Sequence, residues 1–418
     1  MRNSERARPL SKSSICVGVC LLLLSAACDS LLEVDTPTRL PADAIDNPAM
    51  AQTFALSAIA DFECAYTNYI GGTGLLTDEL QNSTGWIAPR LWDQRNLGPT
   101  DVGTTSCTAT GYGNWGVIHT ARMQAEDAYE RIAGWTSEGA VADGEELMGQ
   151  MAAYAGYNLI LLGEGFCEVT VDGGPLLTRD EVMELARERF TSALAHAQAS
   201  GRADIANMAL VGRARASLNL GELTAAAEDA QAVPEGFEVQ ATYSTATQRR
   251  ENRQYRDNHA ERWVSVDPTF RDLEIDGVAD PRVPVQDAGV IAQDGLTDLW
   301  VQLKYDSRSA SIPIASWEEA QLIIAEADGG QEAITAINRL REASDLPEVP
   351  SDYAGDVLDL VLEERRRELF LQGHRINDMI RHDRLEFPSG STHKGVPRGN
   401  TTCLPLPEVE RANNPNLS

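Results

Sequence analysis

Ala203-Asp204-Ile205-Ala206-Asn207-Met208-Ala209-Leu210-Val211-Gly212-Arg213-Ala214-Arg215-Ala216-Ser217-Leu218-Asn219-Leu220 is followed by Gly221 and then by Glu222 to Val233. The apolar residues of both segments recur at three- and four-residue steps, and Gly221 breaks the period, so the stretch reads as two helices joined by a tight turn. Ala214 and Ala226 are small enough to let antiparallel helices approach closely, and Leu210, Leu218 and Leu220 are placed to fill the seam.

The same period extends outward from this hairpin. It predicts helices near residues 46–63, 114–133, 145–163, 178–199, 315–327, 331–343 and 354–383. A second hairpin runs from Trp317 through Leu322, Ile323 and Ala327, turns at Gly329-Gly330, and returns through Ala333, Ile334, Ile337 and Leu340. Leu210, Ala214, Gly221 and Ala226 fall at tetratricopeptide-like spacings, which points to a mostly α, helical-repeat scaffold. Two regions interrupt it. Residues 71–113 hold Gly71, Gly72, Gly74, Pro89, Pro99 and Gly103, and residues 234–313 hold Pro234, Pro268, Pro281, Pro284 and Pro313. Both predict long loops with short strands, an irregular second lobe of the kind that carries function on a rigid scaffold.

At the amino terminus Arg2, Arg6, Arg8 and Lys12 precede an apolar run from Ile15 to Leu24, too short to span a bilayer, which needs roughly 20 residues. Leu24-Ser25-Ala26-Ala27-Cys28 then places small residues before a cysteine, as in a bacterial lipobox, with Ser25 where leucine is more usual. Residues 1–27 are therefore read as a lipoprotein signal peptide, Cys28 as the lipidated residue, and 28–418 as a single domain. Removing the signal takes away four basic residues and one acidic residue from totals of 35 and 63, leaving 31 against 62 and a formal charge of −31. Such a surface repels nucleic acid and anionic headgroups, so attachment to a membrane would be through lipid alone.

Four cysteines remain in the exported part: Cys64, Cys107, Cys167 and Cys403. An even number in an oxidising compartment predicts two disulfides. Of the three possible pairings, Cys64 with Cys107 and Cys167 with Cys403 is favoured, because the first two bracket one loop-rich segment. No CxxC or HExxH spacing occurs, so no metal ligand set is expected.

Three further stretches carry a resemblance. Asp29-Ser30-Leu31-Leu32-Glu33-Val34-Asp35-Thr36-Pro37 follows the lipobox. Ile312-Pro313-Ile314-Ala315-Ser316-Trp317-Glu318-Glu319-Ala320 leads into the second hairpin. Glu364-Arg365-Arg366-Arg367-Glu368-Leu369-Phe370-Leu371-Gln372-Gly373-His374-Arg375, with Asp378 and Arg381, is the most specific. Together they resemble the SusD/RagB family of outer-membrane nutrient-binding lipoproteins, with Gln372, Asn377 and Met379 departing from its usual residues. The resemblance implies a SusD-like fold and a place on the cell surface, tethered to the outer membrane. It also implies a SusC-like, TonB-dependent transporter as partner, and capture of a glycan or oligopeptide without covalent chemistry.

The residues themselves offer no enzyme. The alternating acids and arginines from Glu364 to Arg381 read as an ion-pair network, a structural staple between helices, in which residues four apart also pair along one helix face. Gly111-Tyr112-Gly113-Asn114-Trp115-Gly116 has GxGxxG spacing but lacks the preceding strand that a dinucleotide site needs. No GxSxG or P-loop occurs, and neither a catalytic residue nor a cofactor is expected.

Aromatic residues make the better case, because sugars lay apolar C–H faces on indole and phenol rings while flanking polar groups bind their hydroxyls. Residues 62–115 gather Phe62, Tyr66, Tyr69, Trp86, Trp92, Tyr112 and Trp115 among Asp78, Gln81, Asn82, Arg90, Asp93, Arg95 and Asn96. Trp86, Trp92, Arg95, Asn96, Tyr66 and Tyr69 are the expected ligand residues. Trp263 and Trp300 are added from the second irregular region, and Trp317 is assigned to the core. Two other functions compete: a helical scaffold for protein partners and a secreted hydrolase.

Overall fold

The computed structural model describes residues 46–103, 107, 111–382 and 384–417. The expected signal peptide, Cys28 and the family-like segment after it lie outside the described residues.

Helix α1 (Ala51–Leu76) runs well past its expected end at residue 63. Its three late glycines, read from sequence as the start of a loop, are helical for a packing reason. A Cβ on Gly71 would stand 2.9 Å from the Tyr112 ring, one on Gly72 3.0 Å from Trp92, and one on Gly74 3.2 Å from Leu80. The bare backbone is a floor on which large side chains lie.

Helices α2 (Ile87–Asp93), α3 (Trp115–Ser137), α4 (Gly144–Gly165), α5 (Arg179–Ser200), α6 (Ala203–Asn219) and α7 (Leu223–Gln231) follow. From α3 to α7 each packs on the next, as a succession of hairpins does. The α5 start is sealed by a capping box: Thr178 accepts from the Glu181 amide and the Glu181 carboxylate accepts from the Thr178 amide. In the α6–α7 hairpin Ala214 and Ala226 are fully buried, Leu218 is buried, and Leu210 and Leu220 are half-buried, while Gly221 makes the turn with φ of 74°. Phe190 of α5 lies against the backbones of Gly156 in α4 and Gly212 in α6. That ring locks three consecutive helices.

The region after α7 is a set of short antiparallel pairs. Strand β1 (Leu80–Asn82) pairs with β3 (Val264–Val266), and β2 (Glu238–Ala241) with β8 (Ile312–Ser316). Strands β4 (Glu274–Ile275) and β5 (Val278–Ala279) form a hairpin, as do β6 (Val285–Ile291) and β7 (Asp298–Gln302). Val264, Val266 and Phe270 join the same hydrophobic core as the helices, so this irregular part packs on the scaffold. Helices α8 (Trp317–Asp328), α9 (Gly330–Ala343), α10 (Val357–Glu368), α11 (Arg375–Arg381) and α12 (Glu408–Asn413) complete the chain. The single helix expected over 354–383 is two, broken where Leu371 and Gly373 take left-handed φ of 54° and 81°.

The arginine-rich stretch is the expected ion-pair staple between helices, and little of its pairing runs along one helix face. Glu364 accepts from Arg282 at 2.7 Å and Arg341 at 2.6 Å, and Arg365 bonds Asp378 of α11 at 2.8 Å. Glu164 of α4 takes Arg215 of α6 at 2.5 Å, and Glu326 of α8 takes Arg381 at 2.6 Å. Only Glu363 pairs within α10, with Arg366 and Arg367. Two disulfides complete the fixing. Cys64 of α1 joins Cys107 with 5.9 Å between Cα atoms, and Cys167 joins Cys403 with 5.2 Å.

Candidate ligand platform

The first strand pair builds the site. Beyond the β1–β3 register the Ser83 amide still donates to the Trp263 carbonyl at 2.8 Å, which carries the ladder one step past both strands. The chain then turns at Thr84-Gly85 and enters α2, with Trp86 as its first flanking residue. Local polar bonds set that turn: the Thr84 amide donates to Asn82 Oδ1 at 3.2 Å, and the Trp86 amide to Thr84 Oγ1 at 3.3 Å.

The turn between β6 and β7 closes on it. Gln293 Oε1 accepts from the Thr84 hydroxyl at 2.6 Å and the Gly85 amide at 3.3 Å, and the Asp294 amide donates to the Ser83 carbonyl at 3.0 Å. Lys394 reaches Asp294 at 2.5 Å. Burial alone would push the Asp294 carboxyl up. Lys394, the Thr297 amide and hydroxyl and the Leu296 amide outweigh it and hold the group well below the usual carboxylate range.

This junction brings Trp86 and Trp263 together, residues far apart in sequence. Their ring centroids are 5.9 Å apart with the planes inclined at 42°. Trp86 is 47% exposed and Trp263 half-buried, so one indole stands on the flank of the other. The Arg256 guanidinium lies 6.0 Å from the Trp263 ring on the buried side. Ile87 and Leu296, 61% and 77% exposed, extend the apolar surface beside the turns. Gln293 is exposed, and its Nε2 amide has no partner among the described residues. Two indoles with the Gln293 amide at their edge suit a flat, hydroxyl-bearing ligand.

The other expected ligand residues are placed differently. Trp92, only 1% exposed, packs edge-on to Tyr112 at 6.3 Å and over Gly72, so it offers no face to solvent. Tyr66 and Tyr69 are core residues. The Tyr66 hydroxyl donates to the carbonyls of Pro313 at 2.7 Å and Gln372 at 3.0 Å, and the Tyr69 ring fills the space left by Gly165 and Gly373. Tyr66 and Tyr69 are enclosed because α1 is buried on every side from Phe62 to Leu76, and Trp92 because α2 packs against that stretch, which the density of aromatics in sequence does not reveal.

Arg95 is buried, with Nε on the Thr401 carbonyl at 2.9 Å, Nη1 on the Pro388 carbonyl at 2.5 Å, and its plane 5.0 Å from the Phe387 ring. It pins the carboxyl-terminal segment; Asn96 beside it is exposed. Trp300, half-buried in β7, lies 4.8 Å from the Arg271 guanidinium rather than in the indole pair. Trp317 is buried against a cavity of about 650 Å³ between α8, α9 and the segment after α7, whose rim carries Glu235, Arg339 and Glu342. Thr84, Gln293 and Lys394 were not singled out in sequence. Nothing local marks them, since they meet only through the strand pairing.

The GxGxxG spacing has no phosphate loop behind it. The Gly111 carbonyl accepts from Arg253 and the Gly113 carbonyl from Asn68, and the element before the segment among the described residues is helix α2 rather than a strand. Among the described residues there is no group of three His, Cys, Asp or Glu able to hold a metal, and no helix long and apolar enough to cross a membrane.

The sequence profile of the SusD family matches residues 319–402, which span α8 to the segment after α11. No curated protein matches the sequence. Among solved structures, the chain is similar to a SusD-like carbohydrate-binding protein from Bacteroides vulgatus at 15% identity and a TM-score of 0.67, with 89% of this chain and 97% of that one covered. It is similar to a SusD superfamily protein from Bacteroides thetaiotaomicron at 15% identity and a TM-score of 0.66, with 88% and 98% covered. One from Parabacteroides distasonis matches at 16% identity and a TM-score of 0.63, with 87% and 98% covered. With helices, strand pairs and ion-pair staple in place, the chain is SusD-like: it has that fold over nearly its whole length and the SusD family's sequence pattern in residues 319–402.

Proposed function

We propose that this chain is a non-catalytic, lipid-anchored protein of the outer cell surface that binds a glycan and passes it to a SusC-like, TonB-dependent transporter. The observation that carries the reading is the exposed Trp86–Trp263 pair, edged by the free amide of Gln293. An indole left 47% in water loses apolar burial that the scaffold offers freely elsewhere, as Trp92 shows, and stacking a sugar on it recovers that burial. The carbohydrate binding named for the Bacteroides vulgatus neighbour agrees with this reading, and the lipobox-like segment ending at Cys28 supports the tether. In place of the three buried rings named from sequence, the site is Trp86 and Trp263, with Trp300 and Asn96 as outlying candidates.

The test is a glycan array followed by calorimetry. Trp86→Ala and Trp263→Ala are expected to weaken binding of the selected oligosaccharide by about tenfold or more, the size of a lost aromatic stack with its buried area. For Trp86→Ala the melting temperature should stay within a degree or two, because the ring is half in solvent. Retained affinity in both variants would sink the reading and return the protein to a scaffold for protein partners.

A further inference from the structure

The chain has 63 acidic and 35 basic residues, yet the segments that build the platform do not share that balance. Residues 83–93, 256–263, 292–297 and 394–398 contain four acids, Asp93, Asp257, Glu261 and Asp294, and five basic residues, Arg90, Arg256, Arg262, Lys394 and Arg398. Three of these acids have cations of their own, and the fourth, Glu261, shares Arg308 with the nearer Glu251. Asp93 pairs with Arg398 at 3.1 Å, Asp257 with Arg253 at 2.7 Å and Arg256 at 2.9 Å, Glu261 with Arg308 at 3.7 Å, and Asp294 with Lys394 at 2.5 Å.

Two guanidinium groups are left over. Arg90 and Arg262 are exposed and have no carboxylate partner among the described residues, in a chain where acids outnumber bases. Both belong to the platform. Arg90 lies in the last turn of α2, four residues after Trp86 at the N-cap of that seven-residue helix, so one turn of backbone separates them. Arg262 directly precedes Trp263, and its carbonyl accepts from the Ser83 hydroxyl at 3.1 Å and the Gln293 amide at 3.3 Å. It therefore sits where the three segments meet. Arg262 also holds φ of 56°, a left-handed conformation that costs a residue with a Cβ about 1 kcal/mol and that glycine or asparagine would adopt more cheaply.

We propose that the saccharide taken at this platform is anionic, an oligosaccharide whose rings lie on Trp86 and Trp263 and whose carboxylate or sulfate groups are received by Arg90 and Arg262. This rests on the platform reading and adds the ligand's charge to it. A guanidinium offers paired N–H donors that match the oxygens of either group, and such charge-assisted bonds are about twice as strong as neutral ones. Long polyanions such as nucleic acid are disfavoured by the acidic remainder of the surface, whereas a short oligosaccharide meets only the local cations.

Calorimetry at physiological salt with three probes tests the proposal: an oligogalacturonate, the same oligomer fully methyl-esterified, and a sulfated galactan oligosaccharide. The acid is expected to bind at least about tenfold tighter than its neutral ester. Arg90→Gln and Arg262→Gln should each remove most of that difference while leaving the ester's affinity and the melting temperature unchanged. Arginine-dependent binding of the sulfated probe in place of the uronate would keep the anionic class and name sulfate as its source. Equal affinity for acid and ester, lost in Trp86→Ala, would overturn the charge assignment and leave the platform standing. Binding of any probe that Trp86→Ala leaves intact would overturn the platform itself. Failure of all three probes to bind would overturn the proposal.

Discussion

Two tryptophans six positions apart, Trp86 and Trp92, share composition, flanking polar residues and helix, yet one is 47% exposed and the other 1%. Position on the turn entering α2 separates them, because the first stands at the helix start beside Trp263 and the second lies over the Cβ-free backbone of α1. Burial acts just as selectively on single charges. Glu79 is fully enclosed beside β1, accepts the Leu371 amide at 2.7 Å with one oxygen, and its other oxygen has no partner. Burial raises its carboxyl from 4.5 to about 7, and the neighbouring Asp78 adds to the shift against Arg375 and Lys304. A raised acid pKa means that the folded state holds the proton more tightly than the unfolded chain. The stability this contributes is complete below pH 4.5 and is lost as pH rises through 7. Glu79→Gln keeps the acceptor without the charge. It is expected to flatten part of that slope and to stabilise the protein at pH 8 by about 3 kcal/mol. Glu319 and Asp93, raised to about 7 and about 6 chiefly by burial, keep their own shares of the slope. Urea midpoints measured from pH 4 to 8 check this, and parallel profiles for the two proteins would refute it.

Among the elements, glycine placement decides how tightly helices pack. Gly212 lies in the interior of α6, where alanine would ordinarily favour the helix by about 1 kcal/mol. Here a Cβ would stand 2.3 Å from the Phe190 ring, which also touches the backbone of Gly156. The ring is fully buried and already held against Gly156, so overpacking outweighs propensity. Gly212→Ala is expected to destabilise by about 1–3 kcal/mol, and Phe190→Ala by about 3–5 kcal/mol through the cavity it leaves. Thermal or urea unfolding of the two variants measures this, and a stabilised Gly212→Ala would show that the three-helix lock is looser than the structure has it. Combining the two changes should recover part of the loss, since removing the ring makes room for the methyl group.

On the scale of the whole molecule, the acidic surface and the ion-pair staple serve different ends. The staple is internal and neutralised pair by pair, joining α4 to α6 and α10 to α11, while the unpaired excess of acid faces solvent. An acidic surface has no electrostatic hold on an anionic membrane, so retention there depends on the proposed lipid at Cys28. Cys28→Ala should move the protein from the membrane fraction to the soluble one and abolish fatty-acid labelling. The unchanged protein, extracted in mild detergent, should bring a large TonB-dependent barrel with it. Membrane retention of the variant, or recovery of the protein alone in several detergents, would count against the tether and the partner respectively.

What the sequence determined by itself was local. Helical periodicity located the α6–α7 and α8–α9 hairpins to within one or two residues, because amphipathic spacing and turn glycines such as Gly221 act over a few positions. The even cysteine count anticipated two disulfides for a similar reason, and the wording of residues 364–381 pointed to the SusD fold. Other properties depend on what each residue meets across the chain. Gly71, Gly72 and Gly74 read as loop and are helix, because Tyr112, Trp92 and Leu80 need their bare backbone. The charges of α10 read as a staple between helices, but that Glu364 takes Arg282 and Arg341 and Arg365 takes Asp378 is decided by which elements the fold brings alongside. Trp86 was legible as an aromatic residue in a loop-rich stretch, but its partnership with Trp263 arises from the β1–β3 ladder. So does the delivery of Thr84 to Gln293. A strand register over more than 170 residues of intervening chain leaves no periodic trace in sequence, and only the folded chain brings those side chains within reach of one ligand.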